Sequence, residues 1–223
     1  MFVLGVDPGL RFPGFVLAEV HAKRPWTTFR IVDWHVPYTT RRQLKVFNPT
    51  EVTDRTREHF AWCRASWAKN VGDQQSPCVG IEWPFYGRDC FIGYAYQLLV
   101  LFRIWVKDEQ HIRICHPKRT RDWFYREYAV KKLGWNPKAK NSGPSKVQGV
   151  ELIEQLYLEN AKRLDWPIPK DWWGLRAQAA SVEAVSDAAI VAIHTATERS
   201  WHHRNMLPEE LRKKNLKLKL KED

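Results

Sequence analysis

Phe2-Val3-Leu4-Gly5-Val6 is an apolar run that stops at a carboxylate, Asp7, followed at once by Pro8-Gly9. A short charge-free run bounded by turn residues reads as a buried strand. The chain therefore opens on β-structure, and Asp7 stands where the first strand leaves the core. Pro8 presets φ, and Gly9 is expected in the left-handed position of a type II turn. A second apolar run, Gly14-Phe15-Val16-Leu17, follows at hairpin distance. Taken alone, Asp7 is an ordinary turn cap. A second carboxylate ending a second buried strand, and two more on a late apolar helix, change that reading.

Strands are expected over 2–6, 14–20 and 28–36, a meander whose third member alternates imperfectly. Phe60, Cys63 and Trp67 fall near helical spacing within 52–69. Cys78-Val79-Gly80-Ile81 is a fourth strand and ends at Glu82. Residues 91–107 are apolar nearly all round, which means a buried helix or one that pairs with another subunit. A fifth strand, His111 to Cys115, precedes Pro117, and helices are expected at 145–163 and 181–199 with a Trp- and Pro-containing link over 165–174. That order describes an α/β domain with a five-stranded mixed sheet. The first three strands are antiparallel, and the fourth and fifth return parallel to the first through crossover helices. We place this domain at 1–200 and a basic tail at 201–223.

Charge narrows the partner. Lys and Arg number 36 against 25 Asp and Glu, a net +11, which points to a polyanion. Ten of those cations lie between Arg113 and Lys146, against two acids, and the Gly134–Pro144 part of that stretch reads as an exposed loop. Cys63, Cys78, Cys90 and Cys115 are scattered without a C-x-x-C pair, so neither a zinc site nor a disulfide framework is expected. His202-His203 has no zinc spacing either. No basic-then-apolar leader opens the chain, and the most apolar segment, Tyr94 to Val106, is interrupted by Gln97 and Arg103 and is too short for a bilayer. An intracellular, cytoplasmic protein with no membrane partner is expected.

If the first and fourth strands are parallel neighbours, their C-terminal ends lie about 5 Å apart and Asp7 and Glu82 face one crevice. Glu183 and Asp187, four residues apart in Ser181-Val182-Glu183-Ala184-Val185-Ser186-Asp187-Ala188-Ala189-Ile190-Val191-Ala192-Ile193, share a helix face with roughly 6 Å between them along the axis. They could be the helix's wet face near its N-terminus, or they could share a cation. Carboxylates without His or Cys partners prefer hard ions such as Mg²⁺ or Mn²⁺. Two such ions about 4 Å apart can activate water and stabilise the leaving oxygen of a phosphodiester. With the basic excess supplying an anionic substrate, these features favour a nuclease.

Four segments carry a family resemblance. Leu4-Gly5-Val6-Asp7-Pro8-Gly9-Leu10-Arg11-Phe12-Pro13-Gly14-Phe15 resembles the first motif of the RuvC-type Holliday junction resolvases, within the RNase H-like superfamily. Gly80-Ile81-Glu82-Trp83-Pro84-Phe85 resembles the second, and Pro144-Ser145-Lys146-Val147-Gln148 the third. Ser186-Asp187-Ala188-Ala189-Ile190-Val191-Ala192-Ile193-His194 resembles the closing helix. The four stand in family order and span most of 1–195. The resemblance implies a homodimer that binds a four-way DNA junction and cuts two opposed strands symmetrically with two Mg²⁺ per site, Mn²⁺ substituting, and no small-molecule cofactor. It carries Asp7, Glu82 and Asp187 over as metal ligands, Lys146 as the group on the scissile phosphate, and Phe85 or Tyr86 as the aromatic entering the crossover. Arg88, Lys118, Arg119, Arg121, Lys138 and Lys140 are added as DNA contacts.

The chain departs from the family at three places. The fourth acid's position is Ala184, for which Glu183 is the substitute. The basic residue after the fifth strand is Lys118 or Arg121. Extra material occupies 123–143 and 165–180, which marks a divergent member of a kind a bacteriophage could encode. Other readings are an RNA or RNA–DNA hybrid nuclease of YqgF-like type, an actin-like or sugar-kinase-like ATPase, and an inactive DNA-binding module. The ATPase needs a second Asp-x-Gly phosphate loop, which is absent here, and the intact acids argue against the inactive module.

Overall fold

The computed structural model describes residues 1–9, 12–21, 23–37, 49–83, 89–106, 111–135, 146–164 and 179–205. Five strands, β1 (Phe2–Asp7), β2 (Gly14–Glu19), β3 (Arg30–His35), β4 (Val79–Glu82) and β5 (Ile112–Cys115), form one sheet in the order β3-β2-β1-β4-β5. β1 with β2, and β2 with β3, are antiparallel, while β1 with β4 and β4 with β5 are parallel. The expected mixed sheet is therefore the observed one. Helices α1 (Pro49–Asn70) and α2 (Asp89–Trp105) are the crossovers that the parallel returns require.

Strand periodicity divides the core in two. Leu4, Val6, Phe15, Leu17, Val79 and Ile81 point to α1 and α2, whereas Val3, Val16, Ala18 and Cys78 point to the opposite layer. That second layer contains α4 (Lys146–Leu164) and α5 (Ala179–Asn205), together with α3 (Pro117–Phe124), which passes into a π turn over Tyr125–Val130. Such runs, apolar on both faces, are what a sheet covered on both sides demands. α5 runs through residue 205, past the division placed at 200, and residues 206–223 lie outside the described set.

Two local features differ from expectation. Gly9 is not left-handed; among the described glycines that conformation belongs to Gly72 and Gly134. Instead Gly9 N–H donates to the Asp7 carbonyl at 2.9 Å, a three-residue turn centred on Pro8, whose fixed φ suits it. A Cβ on Gly9 would press on the Phe12 carbonyl oxygen at 2.8 Å, so close backbone approach, not φ, excludes a side chain there. The second difference is α3, which falls inside the basic stretch. Pro117 occupies its first turn, the His116 ring accepts from Arg119 N–H, and Thr120 and Phe124 are its buried positions. Cys63, Cys78 and Cys115 are free buried thiols, and no described helix is long and apolar enough to cross a membrane.

Between α1 and α2 lies a buried polar pair. His59 shares a hydrogen bond with the Tyr94 hydroxyl, and the Phe15 ring lies 5.3 Å from the imidazole. Burial above all, then His35 and Arg55, holds His59 down to about 3. Between its ordinary value of 6.5 and about 3, the unfolded chain binds a proton that the folded chain refuses. The pair's contribution is thus complete above pH 6.5 and is lost as pH falls. His59→Gln is expected to flatten the fall in urea midpoint between pH 7 and pH 4; an equally steep fall in the variant would overturn this account.

Candidate active site

Asp7 and Glu82 end adjacent parallel strands at one level, because Val6 pairs with Ile81 in register. Neighbouring strands lie about 5 Å apart. Their orientation follows from the glycines two residues earlier. A Cβ on Gly5 would run into the Ala188 carbonyl oxygen and lie 2.9 Å from Ala192 Cβ, and one on Gly80 would lie 2.9 Å from Val191 Cγ1. Gly5 and Gly80 therefore face α5. With side chains alternating along a strand, Asp7 and Glu82 face the same layer.

α5 brings the third carboxylate to that margin. Gly14, the register partner of Asp7, has the Ala184 carbonyl pressed against it, and Gly5 has Ala188. The turn 184–188, which carries Asp187, thus lies directly over the end of β1. Bare backbone at Gly5 and Gly14 makes this approach possible, since any side chain would lift the helix. Glu183 is half-buried one turn earlier. Position 184, where the resemblance would place another acid, is buried against the strand ends instead.

Asp187 is only 7% exposed, and Arg121 Nε of α3 lies 3.8 Å from its Oδ1. Of the two basic candidates after the fifth strand, Arg121 pairs with Asp187, while Lys118, like Arg119, is exposed on the same helix. Lys146 opens α4, and its neighbour Gly149 approaches Ile190, where an added Cβ would lie 3.9 Å from Ile190 Cδ1. The start of α4 therefore lies near the turn that follows Asp187. The Lys146 side chain, the segment holding Phe85, Tyr86 and Arg88, and the one holding Lys138 and Lys140 lie outside the described residues.

Beside Glu82 lies a group that the sequence reading missed. Cys115 is the register partner of Glu82, and its Sγ lies 3.7 Å from Thr195 Oγ1 and 3.8 Å from His194 Nδ1. His194 Nε2 is 3.5 Å from Glu198, and the Trp123 ring packs edge-on against the imidazole. Despite the Cys–His–Glu order, this is no nucleophile. Burial pushes the Cys115 thiol up to about 12, so the reactive thiolate is suppressed. The His194–Glu198 spacing of four on a helix was the available signal.

Among the described residues, no three His, Cys, Asp or Glu side chains gather into a metal-binding cluster. The alignment of Asp7, Glu82 and Asp187 is one of backbone position and sheet face. As a donor set it is oxygen-only and anionic, which fits a hard divalent cation and not zinc or copper. Glycine cradles hold the helix that carries one of the three carboxylates against the strands that carry the other two.

No protein-family model matches this sequence, and no curated protein matches it at a significant level. Solved structures do match. Thermus thermophilus RuvC in complex with a Holliday junction substrate superposes with a TM-score of 0.53 at 14% identity, covering 90% of this chain and 96% of that one. A further Thermus thermophilus RuvC structure gives 0.51 at 16% identity, with 91% and 97% covered. The yeast mitochondrial Holliday junction resolvase Ydc2 gives 0.52 at 16% identity, with 91% and 81% covered. The fold is the RuvC-like, RNase H-type fold.

Proposed function

We propose that this chain is a metal-dependent, structure-selective endodeoxyribonuclease that resolves four-way DNA junctions by paired symmetric nicks. The observation that carries the reading is the placement of Asp7, Glu82 and Asp187 at one sheet margin, on one face, in a fold shared with RuvC and Ydc2. Asp7, Glu82 and Asp187, with Glu183 beside them, would hold two Mg²⁺, for which Mn²⁺ can substitute. When bound, these ions supply an activated water and stabilise the leaving oxygen, giving 5′-phosphate and 3′-hydroxyl ends. The chain's own groups do the rest. Lys146 meets charge developing on the scissile phosphate, while Lys118, Arg119 and the cations of the basic stretch hold the DNA backbone, an attraction that weakens with salt. Phe85 or Tyr86 enters the crossover by stacking on bases.

Paired nicks need two sites, and α2 offers a surface for a second copy. Ile92, Tyr96, Val100 and Ile104 recur every four residues and are exposed, Tyr96 by 58% and Ile104 by 74%. Tyr96 and Val100 also line a groove against Thr53 and Thr56 of α1. A second copy would bury this stripe by setting the same patch against itself about a two-fold axis, the usual geometry of a homodimer. Ile104→Lys is expected to shift the protein from dimer to monomer in sedimentation equilibrium and to replace paired nicks with slow single ones. A variant that remains dimeric and cuts in pairs would remove α2 from the interface.

The function itself is tested by incubation in Mg²⁺ with a mobile four-way junction, a linear duplex and an RNA–DNA hybrid. Paired nicks confined to the junction are expected. Cleavage of the hybrid with the junction untouched would replace this reading with the hybrid-nuclease one.

A further inference from the structure

Asp187 is a buried carboxylate, and a buried charge needs a counter-charge. Arg121 supplies one, but in an unusual way. Its Nε is 3.8 Å from Oδ1, close enough for Coulomb attraction and too far for a hydrogen bond, and this buried Nε has no hydrogen-bond acceptor among the described residues. On the following turns of the same segment, Lys131 Nζ reaches both oxygens of Glu127 at 2.8 and 2.9 Å. The Arg121 pair is therefore loosely engaged where a satisfied ion pair is sterically ordinary. The backbone beneath it is anchored by the His116 cap and by buried Thr120 and Phe124, so any movement belongs to the side chain. That side chain is 27% exposed, and Lys118 and Arg119 stand exposed on the preceding turn, where they would draw a phosphate.

We propose that Arg121 is a displaceable counter-ion of Asp187: it competes with a divalent cation for that carboxylate and, when displaced, turns its guanidinium to a DNA phosphate. The inference rests on Asp187 being a metal ligand, as proposed above. A positive group within 4 Å of a ligand opposes a dication by Coulomb repulsion. A guanidinium released from one carboxylate oxygen is well shaped for two phosphate oxygens. Linkage then makes the effect reciprocal, because a phosphate that takes Arg121 away raises cation affinity at Asp187 by the factor through which the cation raises phosphate affinity. Cation loading is thereby favoured on DNA and restrained off it.

The test measures Mn²⁺ binding without DNA, by the loss of the free-ion paramagnetic resonance signal. Arg121→Gln is expected to bind Mn²⁺ about tenfold more tightly than the parent, whereas Arg121→Lys, which keeps the charge, stays within about twofold. A tightening cannot come from damaged packing; unchanged or weaker binding in Arg121→Gln overturns the proposal. Asp187→Asn is run alongside. If it binds Mn²⁺ like the parent, the ligand reading of Asp187 fails; if it weakens binding and Arg121→Gln does not tighten it, only the counter-ion role fails. A measurement on the parent protein removes any dependence on how the variants fold. Saturating Mn²⁺ should speed modification of Arg121 by phenylglyoxal several-fold, read at that peptide by mass spectrometry, and an unchanged or slower rate overturns the proposal.

Discussion

Asp7→Asn is expected to stop junction cutting and leave junction binding in place. Asparagine keeps the size of the side chain and the backbone turn, whose hydrogen bond runs from Gly9 N–H to the residue 7 carbonyl and not to the carboxylate. It removes the charge, and with it one donor to the proposed cation, which would contribute several kcal/mol to the transition state. Cleavage should therefore fall by roughly a thousandfold or more, at about 1.4 kcal/mol per factor of ten. Unfolding should change little, since the residue is half-buried at a strand end and its amide fits the same space. Binding holds or tightens, because one negative charge facing the phosphates is gone. Single-turnover nicking of a labelled junction and a gel-shift titration separate the two effects. Because residues that act on one centre are non-additive, Asp7→Asn combined with Glu82→Gln should be no slower than either alone. Undiminished cutting, or a collapse in thermal stability that accounts for the loss, would remove Asp7 from the site.

The legible parts of this chain are those where burial acts along a contiguous run. Strands covered on both faces become short apolar words, and Asp7 and Glu82 are visible because each ends such a word. The closing helix is equally plain, its apolar run broken by Asp187. α3 and the π turn after it are not legible, because Thr120, Phe124 and Tyr128 are spaced by four among Lys118, Arg119, Arg121 and Arg126, and the charges outweigh a narrow apolar stripe. Pro117 at the first helical position was the overlooked signal. The Arg121–Asp187 pair is illegible for another reason: it depends on how α3 settles against α5, and no local pattern encodes that packing. Gly9 shows a third kind of limit. Pro-Gly predicts a turn correctly, yet the turn type depends on what the following backbone, here Phe12, brings close.

Gly5→Ala is expected to damage stability and activity together, through one displacement. The Ala188 carbonyl of α5 rests on Gly5, and Ala192 Cβ would lie 2.9 Å from an added methyl. Backbone cannot rotate away as a flexible side chain can, so α5 must lift from the sheet. Overpacking of this kind costs about 1–3 kcal/mol. Asp187 is the residue before Ala188, so it moves with the helix, and a misplacement of about 1 Å at a reacting centre costs on the order of a hundredfold in rate. The cradle that makes the close approach possible is thus also what aligns the helix-borne carboxylate with the two on the strands. Gly93, in α2, is the control: a methyl there meets none of the described residues within 4 Å, and Ala in a helix is favoured over Gly by up to about 1 kcal/mol. Urea unfolding should move in opposite directions for the two variants, and nicking should fall in Gly5→Ala alone. If Gly5→Ala unfolds and cuts like the parent, α5 does not depend on the bare backbone of β1, and the alignment of Asp187 with Asp7 and Glu82 must be held by other contacts.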